Sequence, residues 1–188
     1  MELPFQYPPR EAEVVAPCLK RRSPDCIFPD PLRPEGKRPT VESLVALNSW
    51  LHENIAYERR EEGDPLPVEE TLAKAKGSCR DFSVLMAEVL RFHGVAARLV
   101  SGFLWEGAVE ERERRAENAL HAWVEAYLPG AGWIGMDPTN GVFCDHHFLP
   151  TAIGLAPSDI APITGHYYGN KTIASTLETK LTIGENKS

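Results

Sequence analysis

Cys79, His121 and Asp137 are the residues whose types and order could carry covalent chemistry: a thiol nucleophile, a base to take its proton and a carboxylate to orient the base. Cys79 lies in Gly77-Ser78-Cys79-Arg80-Asp81-Phe82, where a glycine break gives way to a long run of helically spaced apolar residues. A thiol at a helix start meets the positive end of the macrodipole and unpaired backbone N–H groups, and both favour the thiolate. Such a set supports acyl transfer, in which the thiolate attacks an amide, the amine leaves with a proton from the imidazole, and a thioester awaits water or a second amine.

Three elements must position these groups. Phe82, Leu85, Met86, Val89 and Leu90 form one stripe, so the spacing predicts a buried helix from Cys79 to His93, capped by Ser78 and ended by Gly94. Leu120–Leu128 and Trp133–Asp137 flank the turn Pro129-Gly130-Ala131-Gly132 and read as a hairpin. If Tyr127 opposes Trp133, His121 falls diagonal to Asp137 on one face, roughly 7–8 Å away at the backbone; a slip by one residue separates them.

Around these, a helix is predicted from Thr40 as N-cap, with Val41, Leu44, Val45, Leu51 and Ile55 facing the core and Trp50 beside them. After a polar loop from Glu58 to Pro67, a short helix runs to Lys76, with Gly77 as its left-handed cap. Val95–Leu104 reads as a strand, Trp105–Asn118 as a charged loop or frayed helix, and Ser175–Ile183 as a further strand. Nine prolines within residues 1–39 argue for an arm or linker with little regular structure, ahead of one domain over 40–188.

Composition narrows the partners. A net charge of -7, a pI near 5.4 and no long basic run argue against nucleic acid or an anionic membrane surface, leaving a peptide-like or small substrate. No stretch approaches the roughly 18 to 20 apolar residues of a membrane span and the start lacks the regions of a secretion signal, so the expected compartment is the cytoplasm. There Cys18, Cys26 and Cys144 should be free thiols.

No cofactor is called for. His146 and His147, beside Cys144 and Asp145, are metal-ligand types, but neighbouring side chains on an extended chain point to opposite faces, so no metal is expected. Arg80 and Asp81 read as partners in a structural salt bridge at the first helical turn, and Trp123 and Trp133 as core or cleft walls.

The three blocks containing Cys79, His121 (Leu120-His121-Ala122-Trp123-Val124-Glu125-Ala126-Tyr127) and Asp137 (Gly132-Trp133-Ile134-Gly135-Met136-Asp137-Pro138-Thr139-Asn140-Gly141) resemble the bacterial transglutaminase-like family, often described as cysteine proteases. Gly94–Phe103 and Ile160–Gly169 extend the likeness, which covers roughly residues 40 to 170. It implies an α+β, papain-like core with the nucleophile at the start of a central helix packed on an antiparallel sheet. It also implies the roles already argued: Cys79 attacks, His121 moves protons and Asp137 orients the ring. The substrate would be a peptide or protein amide, taken to hydrolysis or transamidation, and a small thioester donor would suit the same residues. The alternative is a catalytically silent module that binds a protein partner. Papain-like proteases use an upstream Gln as oxyanion donor; Glu70–Lys76 contains none, so beyond the Cys79 N–H the second donor is unassigned. The resemblance also implies a β-rich region before the core, and the residues ahead of position 40 offer only the Pro-rich arm in its place.

Overall fold

The computed structural model describes residues 1–33, 36–60, 63–105, 120–163 and 168. In chain order its elements are β1 (Glu2–Leu3), α1 (Pro9–Leu19), β2 (Arg38–Pro39), α2 (Thr40–Asn54), β3 (Ala56–Tyr57), α3 (Val68–Lys74), β4 (Lys76–Gly77), α4 (Cys79–Phe92), β5 (Ala97–Leu104), β6 (Leu120–Leu128), β7 (Gly132–Asp137), β8 (Val142–Phe143) and β9 (Phe148–Gly154). The last five form one antiparallel sheet in the order β8-β7-β6-β5-β9. This is the expected α+β class.

Helix α4 supplies the centre of the core. Phe82, Leu85, Met86, Val89 and Leu90 are buried against Leu99, Ala122, Val124, Ala126 and Met136 of the sheet. Burying such side chains contributes about 1.5–3 kcal/mol each, so the stripe fixes the helix on the sheet. Trp123, Val100, Leu104 and Phe148 make a second cluster.

The hairpin register is the predicted one: Tyr127 opposes Trp133 and Val124 opposes Met136, with Gly130 and Gly132 at φ of +80° in the turn. Strand β9, which the sequence reading did not pick out, pairs along β5 with a register shift between Ser101 and Gly102. The charged run over 106–118 and the strand expected at 175–183 lie outside the described residues.

Two local expectations are corrected. On α2, Val41 and Val45 are exposed and the buried positions are Thr40, Leu44, Asn48 and Leu51, continued by Ile55. Asn48 can occupy that face because its Nδ2 donates to the Val142 carbonyl at 3.1 Å. The left-handed cap of α3 is Ala75 (φ +48°), and Gly77 instead pairs with Tyr57 in a parallel bridge. Glycine is needed at 77 for space: a Cβ there would meet that of Asp81 at 2.7 Å.

The N-terminal arm is more ordered than its prolines suggested. Pro8 caps α1 and Pro9 opens it, positions where a missing N–H costs nothing. The arm also enters the core through Leu3, Cys26, Phe28 and Leu32. A buried ion pair pins it: Glu88 Oε1 accepts from Arg91 at 2.7 Å, and Oε2 accepts the N–H groups of Arg22 and Ser23 at 2.9 and 3.0 Å. Arg91 also donates to the Cys18 and Ala97 carbonyls. Residues 1–33 therefore wrap the domain.

Candidate active site

Cys79 is the first residue of α4 and is partly exposed. The helix start is held by Asp81, whose Oδ2 accepts the N–H and hydroxyl of Ser78 at 2.7 and 2.9 Å. Its Oδ1 accepts from Arg60 at 2.8 Å and from the Leu66 N–H at 2.6 Å. Asp81 is thus more than half of a surface salt bridge, because it ties loop 58–67 to the turn that presents the thiol. Arg80 reinforces this by donating to the Gly63 and Arg60 carbonyls.

His121 on β6 and Asp137 at the end of β7 meet as the register predicts. His121 Nε2 donates to Asp137 Oδ2 at 2.9 Å, and neither side chain is exposed. Asp137 serves its turn as well: Oδ1 accepts the Thr139 N–H at 2.9 Å, and Oδ2 accepts the Asn140 side-chain amide at 2.7 Å. Asn140, not singled out from sequence, therefore fixes the carboxylate that fixes the imidazole. The ring packs beside Trp123 and Phe148, at centroid distances of 6.2 and 6.3 Å, and these two meet edge to face at 5.4 Å.

The Cys79 thiol acts on the same ring. Nδ1 of His121 is buried and makes no fully formed hydrogen bond, yet Cys79 is near enough to favour the charged imidazole both electrostatically and as a looser hydrogen-bond partner. Since Nε2 is committed to Asp137, Nδ1 is the nitrogen left for sulfur. Burial opposes the imidazolium, but the Asp137 carboxylate, aided by the thiol, wins and pushes the His121 pKa up to about 10. For Asp137, burial likewise opposes ionisation, and His121 and Asn140 hold its carboxyl below the usual range.

Tyr57 is the second residue that sequence reasoning missed. The bridge between β3 and β4 sets Tyr57 opposite Gly77, two residues before the thiol. Burial, then the nearby Cys79 and Asp137, raise its pKa, so the phenol stays a neutral O–H group in the neighbourhood of the site. No local periodicity announces a contact between positions so far apart in the chain.

The other three cysteines are free as well. Burial raises Cys18 and pushes Cys26 up to about 11, with Glu69 adding to the latter; burial and then Asp137 raise Cys144. The two tryptophans part company, since Trp123 packs on the imidazole while Trp133 lies under the Arg98 guanidinium at 4.0 Å and against Tyr127. An open apolar groove of about 670 Å³ between the arm and α2, lined by Phe28, Trp50 and Leu72, shares no residue with the triad. None of the described helices is long and apolar enough to cross a membrane.

A helix-borne thiol facing a strand-borne imidazole and carboxylate across a papain-like α+β core marks out a class, and comparison with known proteins gives the family. Residues 32–138 match the model of the transglutaminase-like superfamily, to which this chain belongs. An uncharacterized Mycobacterium tuberculosis protein is 32% identical over 139 residues, 71% of this chain and 44% of that protein. A protein-glutamine gamma-glutamyltransferase of Pseudomonas aeruginosa is 32% identical over 122 residues, 60% of this chain and 18% of that one. Among solved structures, a protein from Cytophaga hutchinsonii provisionally assigned as a cysteine protease superposes with a TM-score of 0.59 at 20% identity, covering 82% of this chain and 52% of its own, and so supports the fold. The chain spans less than half the length of the mycobacterial relatives it matches.

Proposed function

We propose that the chain is a thiol-dependent acyl-transfer enzyme acting on peptide or isopeptide amides, with Cys79 as nucleophile, His121 as proton carrier and Asp137 as orienter. The observation that carries this reading is the buried His121–Asp137 pair, which favours a charged imidazole near a partly exposed thiol. A charged imidazole is the partner that a thiol nucleophile of this kind uses.

The thiolate attacks the amide carbon, and negative charge gathers on the carbonyl oxygen. The Cys79 N–H, at a helix start where no intrahelical partner exists, is one donor for it, and the Tyr57 hydroxyl is the second donor lacking from the sequence reading. His121 then protonates the departing amine, and the C–N bond breaks to leave a thioester. Attack by water gives hydrolysis and attack by an amine gives transamidation, with His121 taking the proton in either case. The gamma-glutamyltransferase relative and the cysteine-protease neighbour support this pair of outcomes as the reaction class.

Alkylation by iodoacetamide across pH tests the reading. Cys79 should react appreciably at about pH 6–7 and slow in His121→Ala, while Cys18, Cys26 and Cys144 stay unmodified. A Cys79 that is inert, or indifferent to His121, leaves the silent binding module as the better description. Mass spectrometry of the protein incubated with amide peptides should then find an acyl adduct on Cys79 that Cys79→Ser lacks.

A further inference from the structure

Asp145-His146-His147 is a run of metal-ligand types that an extended backbone would scatter. The backbone is not extended there. The Phe148 N–H donates to the Asp145 carbonyl at 3.1 Å, closing a tight turn into β9, and the two imidazoles come to the same side with ring centroids 4.0 Å apart. One donor atom from each of the three residues lies within 4.8 Å of the others.

The cluster is built on fixed parts. Nδ1 of His147 stands 2.9 Å from Asp145 Oδ1, which also accepts the His147 backbone N–H at 3.0 Å. The His147 ring stacks on Trp105 with centroids 6.0 Å apart, and its carbonyl accepts the Trp105 N–H at 2.8 Å. Asp145 and His146 are exposed, which leaves the cluster open to solvent on one side.

We propose that Asp145, His146 and His147 bind one divalent first-row transition ion of the zinc type, with water completing its coordination. Donors held at about 2.0–2.2 Å from such an ion stand roughly 3–3.5 Å from one another. The Asp145–His147 pair already has nearly this spacing, and rotation of the exposed His146 side chain closes the third position. Two imidazoles with one carboxylate suit zinc, nickel or copper, whereas magnesium and calcium require all-oxygen shells.

The test is calorimetric titration of the full chain with Zn²⁺ in a Cys79→Ser background, which prevents the thiol and His121 from forming a competing site. One ion per chain should bind with a Kd of about 10 μM or tighter, and His147→Ala or His146→Ala should weaken it at least about tenfold, as loss of a ligand does. Mg²⁺ should give no heat. Should His147→Ala fail to fold, the exposed His146→Ala decides alone. Absence of binding, or binding that survives His146→Ala undiminished, overturns the proposal.

Discussion

Nε2 of His121 stands 2.9 Å from Oδ2 of Asp137, with both side chains wholly withdrawn from solvent. Its pH dependence follows from two opposite shifts. The His121 pKa is raised to about 10 from 6.5, so its contribution to stability is full below about pH 6.5 and is lost as pH rises through about 10. The Asp137 pKa is lowered from 3.8, so its contribution is present above that value and is lost as acid titrates the folded carboxyl. Urea denaturation should therefore show stability declining between about pH 6.5 and 10 in the native protein and much less in His121→Phe. Parallel curves for the two would refute the pairing.

Tyr57 can be separated from the nucleophile by choice of reaction. Alkylation of a thiolate develops no oxyanion, whereas attack on an amide does. Tyr57→Phe should leave the iodoacetamide rate nearly unchanged and lower kcat on an amide substrate about 10²–10³-fold, the usual loss for one such donor. Equal effects on both reactions would assign Tyr57 to packing.

Asp81 orders the turn that presents the thiol. Asp81→Ala strips four hydrogen bonds from a buried carboxylate and leaves the Ser78 and Leu66 N–H groups without that acceptor. The cost should be about 3 kcal/mol or more. Gly77→Ala should destabilise in the same region, because the added methyl meets Asp81. Thermal unfolding of both variants checks this, and a Tm within a degree of the parent in either would contradict it.

Glu88 clamps the arm. Glu88→Ala leaves Arg91 as an uncompensated buried charge, so it should cost about 3–5 kcal/mol. It should also make the chain cleavable near Arg22 under limited proteolysis, at conditions where the parent resists. Resistance equal to the parent would mean that apolar packing alone holds the arm.

Much of this site was readable in the residues because its parts are set by local signals. Pro129–Gly132 fixes one hairpin register, which carries His121 to Asp137, and Gly77-Ser78 ahead of an apolar stripe fixes the helix start at Cys79. The rest depends on contacts between distant segments. Tyr57 comes to the thiol through a parallel bridge spanning some twenty residues, and the arm is held by Glu88, deep in α4. Strand β9 escaped because Pro150 and an exposed Ile153 blur its alternation at the sheet edge. The prolines of the arm read as breakers although two of them begin a helix, and the turn at 145–147 reversed an argument that assumed an extended chain.

Gly102 faces His121 in one ladder and Pro150 in the other, and even a methyl group there would fall 2.0 Å from the Leu149 carbonyl and 2.8 Å from the Trp123 indole. A single hydrogen atom at that position thus keeps three strands in step behind the imidazole. Any side chain at position 102 would have to push the edge strand away from its neighbour and so disturb the wall on which the imidazole rests.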